Sequence, residues 1–129
     1  MRSMVVTLPV ADLARATRFL TALGFAPDGA PGAGRTRLVA RPGVVVVLDE
    51  GGGADGADAA GGIGGRVIAS LAAESRLAVD CAFARALVAG GRPWCPLIDD
   101  GTTYACSVAD PDGHVWEVAH AAPAAGRAA

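Results

Sequence analysis

Asp110-Pro111-Asp112-Gly113-His114-Val115-Trp116-Glu117-Val118 is the stretch whose reading decides the fold. Its first four residues are turn formers, each for its own reason. Asp hydrogen-bonds to nearby backbone, Pro presets φ, and Gly accepts a positive φ. The residues after them, rich in β-branched and aromatic types, read as a last strand from His114 to His120. Working back toward the N-terminus, Thr103 to Ala109 and Pro93 to Ile98 read as two more strands, joined through Asp99-Asp100-Gly101. Before them, Ser75 caps a helix that runs to about Ala89 and stops at Gly90-Gly91, with Val79, Ala82, Phe83, Ala86 and Leu87 as its buried stripe. A strand from Arg66 to Leu71 precedes that helix.

The first half repeats this order. Met4 to Val10 reads as a strand. Asp12 caps a helix over Leu13 to Leu23, whose apolar residues Leu13, Ala16, Leu20 and Leu23 recur at helical spacing. Gly24 closes that helix. After a loop from Pro27 to Gly34, Arg35 to Arg41 and Val44 to Leu48 read as strands turning at Pro42-Gly43. Residues 51–64 are Gly, Ala and Asp with one Ile, too poor in side-chain volume for a core, and are expected to be a flexible linker. Two modules, 1–50 and 65–120, therefore make one 129-residue domain, with an Ala-rich tail beginning at Ala121.

The composition excludes several classes. The net charge is -2, so the basic excess of a general nucleic-acid binder is missing. No apolar run reaches the ~18–20 residues of a membrane span, and the start leads into a strand rather than a signal-peptide core. Three Cys without a CxxC pair argue against a disulfide framework or zinc ribbon. The expectation is a cytoplasmic protein with reduced thiols. Gly61-Gly62-Ile63-Gly64-Gly65 precedes a strand instead of a helix, so it reads as linker and not as a phosphate loop.

Thr7-Leu8-Pro9-Val10-Ala11-Asp12-Leu13, with Phe19 and Ala22-Leu23-Gly24-Phe25, resembles the first strand and helix of vicinal oxygen chelate proteins. The segment from Asp110 to Val118 resembles that superfamily's final hairpin. Glyoxalase I, fosfomycin-resistance enzymes, bleomycin-binding proteins and ring-cleaving dioxygenases share the fold. The resemblance implies an α+β architecture of two βαβββ modules, with a cupped mixed sheet, helices packed outside it and a small-molecule cavity. It also implies a homodimer. Enzymatic members hold a divalent metal in the cup with His and Glu side chains. Carried over by position, those places fall at Val5, around Val46, at Ile68 (or Arg66 with a two-residue shift) and at Glu117. Only Glu117 is a metal ligand by type, so no metal cofactor is expected.

If Asp110 to Gly113 is a four-residue turn and Asp99 to Thr102 another, then Cys95, Cys106 and Glu117 form a row across three strands. Glu117 matches the cavity position, so the row would line the cup; a slip of one residue would turn it away. The two Cys then read as small buried hydrophobes, as ligands of a soft ion, or as a strained cross-strand disulfide. Glu117 reads either as an unpaired acid or base or as the ion-pair partner of Arg66. Val5, Thr7, Arg66, Ile68, Ser70, Trp94, Cys95, Tyr104 and Cys106 complete the candidate binding residues, with Glu117 as the candidate catalytic group. His114 is expected to stabilise the turn or to sit at the rim, and His120 on the side opposite Glu117. The favoured function is binding of a small, partly apolar molecule in a metal-free cavity, as in antibiotic or metabolite sequestration. The alternatives are a lyase, isomerase or dioxygenase-type enzyme using Glu117 as acid/base or with a non-standard metal, and a non-catalytic dimeric scaffold.

Overall fold

A computed structural model describes residues 4–30, 32–41, 43–50 and 67–122. The first module contains β1 (Met4–Pro9), α1 (Leu13–Ala22), β2 (Ala26–Pro27), β3 (Arg35–Arg41) and β4 (Val44–Asp49). The second contains β5 (Ile68–Ala72), α2 (Arg76–Val88), β6 (Arg92–Asp99), β7 (Thr103–Ala109) and β8 (Val115–Ala121). Each module forms a four-stranded mixed sheet, ordered β1-β4-β3-β2 and β5-β8-β7-β6. In both, the first and last strands pair in parallel and the remaining pairs are antiparallel. The architecture is α+β, with two βαβββ modules of the same topology. The two-residue β2, which pairs Ala26 with Val39 and Pro27 with Leu38, lies in a stretch whose sequence reads as turn. Ala121 belongs to β8, opposite Thr103, rather than to the tail. The linker at 51–64 and Arg66 lie outside the described residues.

The helices start where their side chains can satisfy free backbone N–H groups. The Asp12 carboxylate accepts from Arg15 N at 2.9 Å, and Ser75 Oγ accepts from Ala78 N at 3.0 Å. A second cap on α1 comes from the far end of its module: Glu50, just past β4, accepts from Leu13 N at 2.7 Å. Two carboxylates thus meet the positive end of the α1 dipole.

Alternation along the strands separates a face turned to the helices from one turned away. In the first sheet Leu8, Leu38, Val46 and Leu48 face the helices, joined by Ala16, Phe19, Leu20 and Phe25. Ala86, Val108 and Trp116 of the second module belong to the same core cluster. Trp116 packs edge-on to Phe25, with ring centroids 5.7 Å apart. The two modules therefore bury one shared core. Gly91 permits this: a Cβ there would lie 2.6 Å from Val108 Cγ2 and 2.7 Å from Phe19 Cε1. In α2, Val79 and Ala86 are buried as the spacing predicts, but Leu87 is exposed because the stripe turns away at the last turn. Strand β6 is the edge of its sheet and is exposed throughout. Two register shifts and two prolines interrupt it, features that blunt an edge against further pairing. No helix among the described residues is long and apolar enough to cross a membrane.

Candidate functional site

The candidate site is the face of the second sheet turned away from α2. Its residues follow from the final hairpin. Asp110 N donates to His114 O and Gly113 N donates to Asp110 O, so the turn spans five residues, and Ala109 pairs with Val115. That is one residue later than the four-residue turn expected from sequence. The shift places Ser107, not Cys106, opposite Glu117. On the other side of Glu117 stands Ser70 of β5, and Cys95 of β6 pairs with Ser107. The polar row is therefore Ser70, Glu117, Ser107 and Cys95.

Within it, Ser70 Oγ–H donates to Glu117 Oε1 at 2.8 Å. Cys95 N–H donates to Ser107 Oγ at 3.2 Å. Ile68 and Ile98 extend the row with exposed apolar surface, Ile68 being 67 % exposed. Glu117 itself is half-buried. The combination offers a hydroxyl-anchored carboxylate, a second hydroxyl and an exposed thiol between aliphatic patches.

Two expected members of this face lie on its opposite side. Cys106 pairs with Val118 and is buried against α2, its Sγ 4.0 Å from Val79 O. Burial pushes its thiol pKa up. Tyr104 shares that parity. Its hydroxyl donates to Asp80 Oδ1 at 2.6 Å, and the Arg76 guanidinium stacks 4.2 Å from the ring centroid. The bond to Asp80 holds the phenol proton and raises its pKa. Arg76 also binds Asp99 at 2.6 Å. A Cys95–Cys106 disulfide or shared ion is thereby removed, and all three cysteines are free. Trp94 falls at a register shift of β6 and is half exposed. His120 Nδ1 lies 3.1 Å from Ala73 O, on the helix side.

In the first sheet, Val5 and Thr7 share the face away from α1, through the pairs Val5 with Val45 and Thr7 with Val47. Val46 instead lies in the helix-side core, 4 % exposed. The places to which the resemblance assigns metal ligands thus carry aliphatic side chains at Val5, at Ile68 and on β4 whichever residue is chosen, the alternative Arg66 lying outside the described residues. The carboxylate that remains, Glu117, is tied to Ser70. Among the described residues no three His, Cys, Asp or Glu side chains converge. These residues do not fit a divalent metal, which needs several preorganised donors.

A second constellation, which sequence reasoning passed over, joins the modules at the 110–114 turn. Asp110 is 5 % exposed. Its Oδ1 accepts from Asp112 N (2.9 Å) and His114 N (3.0 Å), and its Oδ2 accepts from Trp116 Nε1 (3.0 Å). Burial raises its pKa despite these donors. His114, 2 % exposed, is no rim residue. Its Nδ1 accepts from Val67 N at 3.2 Å, and its Nε2 lies 2.9 Å from Pro9 O. A backbone N–H can only donate and a carbonyl can only accept, so the ring carries its proton on Nε2. Asp112 Oδ1 accepts from Ala11 N at 2.8 Å and meets Arg15 at 3.4 Å. The signal was present in Asp-Pro-Asp-Gly-His, but pattern alone does not say that the turn faces the end of β1.

Comparison with solved structures places this geometry among known proteins. A hypothetical protein from S. aureus matches with a TM-score of 0.74 and 22 % identity, over 93 % of this chain and 94 % of that one. A glyoxalase/bleomycin resistance protein from Albidiferax ferrireducens matches with a TM-score of 0.68 and 22 % identity, over 92 % and 97 %. A glyoxalase/bleomycin resistance protein/dioxygenase family enzyme from Burkholderia phytofirmans reaches a TM-score of 0.75 at 15 % identity, over 95 % and 100 %. No family model and no curated protein sequence matches the chain.

Proposed function

The chain has the glyoxalase/bleomycin resistance/dioxygenase fold of the vicinal oxygen chelate superfamily, and from that premise we propose that it binds a small, partly apolar molecule without a metal. The observation that carries this reading is the composition of the face opposite α2. A Ser70-anchored Glu117, with Ser107 and Cys95 beside it, is flanked by exposed Ile68 and Ile98, and Ile68 stands at a place where the resemblance to enzymatic members puts a metal ligand. A few placed polar groups among aliphatic ones suit orientation of a ligand. Val5 and Thr7 contribute the corresponding face of the first sheet. Exposed Val5, Ile68 and Leu97 support a homodimer in which a second copy closes the cavity. Sequestration of an antibiotic or metabolite follows if no step beyond binding occurs. Three free cysteines suit the cytoplasm.

The test is a thermal-shift screen of the untagged protein against bleomycin-type antibiotics, catechols and glutathione hemithioacetals, with and without EDTA. Elemental analysis of the same sample accompanies it. The expected result is stabilisation by an apolar ligand that EDTA leaves unchanged and that Glu117→Gln weakens. A stoichiometric divalent ion, or binding lost on chelation, would overturn the reading.

A further inference from the structure

A groove of about 930 Å³ lies between α1 and α2, on the side of the molecule that carries the helices. Short apolar side chains line it, Ala22 and Ala84 among them, together with Val88, which is 91 % exposed. Three arginines line it: Arg15 and Arg18 from α1, and Arg85 from α2. Among the described residues, no acidic one lines it.

The charge is the informative feature. Elsewhere Arg35, Arg37 and Arg76 each face a carboxylate, in Asp49, Asp28 and Asp99. Arg15 meets Asp112 at 3.4 Å. Arg18 and Arg85 have no ion pair or side-chain hydrogen bond among the described residues. Two guanidiniums with no carboxylate partner among the described residues thus line one largely apolar groove in a chain whose net charge is -2. Guanidinium forks match carboxylate and phosphate oxygens. The volume is at the upper end for small-ligand sites, larger than a bare oxyanion needs.

We propose that this groove is a second binding site, separate from the sheet face, for an amphipathic anion with a phosphate or carboxylate head and an apolar tail. The head sits between Arg18 and Arg85, and the tail lies along Ala22, Ala84 and Val88.

Calorimetric titration with octyl phosphate below its micelle concentration, at low salt, tests this against inorganic phosphate. Octyl phosphate binds one site per chain at least tenfold tighter than inorganic phosphate, since each buried methylene adds up to about fourfold. An Arg18→Ala/Arg85→Ala variant binds about 25-fold more weakly, at roughly fivefold for each exposed ion pair. Arg18→Lys/Arg85→Lys recovers part of the loss, and Ser107→Trp, which fills the sheet face, leaves binding unchanged. Equal affinity for inorganic phosphate, full binding by the double Ala variant, or loss in Ser107→Trp each overturns the proposal. Vesicles with anionic headgroups distinguish the source of such a ligand. Sedimentation of the protein with vesicles, without octyl phosphate binding, also overturns it.

Discussion

Replacing Asp110 tests the reading of the turn that joins the modules. Asp110→Ala strips three donors of their acceptor: the N–H groups of Asp112 and His114, and the indole N–H of Trp116. The indole and the His114 amide are in buried hydrogen bonds, so water cannot replace the carboxylate without opening the turn. An unsatisfied buried group costs ~1–3 kcal/mol, and relief of the buried charge offsets part of the sum. The net expectation is about 3 kcal/mol. At roughly 3–5 °C per kcal/mol for a chain of this size, the midpoint falls by about 10–15 °C. Asp110→Asn keeps one oxygen for the two amides but sets its NH2 against the indole, or the reverse, and costs about half as much. The pH dependence gives a sharper check. The folded pKa of Asp110 is raised above its ordinary 3.8 by burial. Its contribution is therefore fully present below that ordinary value and declines as pH rises through the folded value. The stability gap between the natural protein and Asp110→Asn, followed by urea denaturation across that window, narrows with rising pH. A gap that widens would refute the argument, because it would mean that the three donors outweigh burial.

His114→Ala removes the partners of Val67 N and Pro9 O together; it lowers stability by about 2–4 kcal/mol, and hydrogen exchange at the Val67 amide accelerates more than at amides of β3. Gly91→Ala forces a Cβ into Val108 and Phe19; it costs roughly 1–3 kcal/mol, measured by denaturant titration, and a neutral result would show that the two modules do not pack as described. Asp80→Asn moves the alkaline titration of the lone tyrosine, followed by ultraviolet absorbance, to lower pH, because the bond that raises its pKa is weakened. Thiol labelling at neutral pH modifies Cys95 first and Cys106 last, in keeping with exposure of the one and burial of the other; equal rates would put Cys106 back on the open face.

The order of elements was legible because Asp12, Ser75, Gly24 and the Asp-rich turns mark boundaries by local chemistry. Face assignment was not, since it depends on registers that local chemistry leaves open. The turn after Ala109 takes five residues instead of four, and that alone exchanges Cys106 for Ser107 beside Glu117. In β6 the shifts at Pro93/Cys95 and Cys95/Ile98 break the parity rule outright, so neither cysteine's neighbours could be counted from a turn. Ser70 and Glu117 were each candidates, but their pairing was not read from the sequence, which offered Arg66 as the partner; it follows from the unbroken parallel register of β5 and β8. The Glu50 cap, the His114 bridge and the arginine groove all need contacts between segments far apart in sequence, which periodicity does not encode.

The shared core sets how this doubled chain comes apart. Phe25 rests on Trp116, Gly91 abuts Phe19, and His114 ties Pro9 to Val67. Neither repeat can shed its partner without baring aromatic surface. Halves made as separate polypeptides are then poor folders alone but complementary when mixed, and the intact chain melts in one cooperative step rather than two. Duplication of a βαβββ unit here has produced a single folding unit instead of a pair of independent ones.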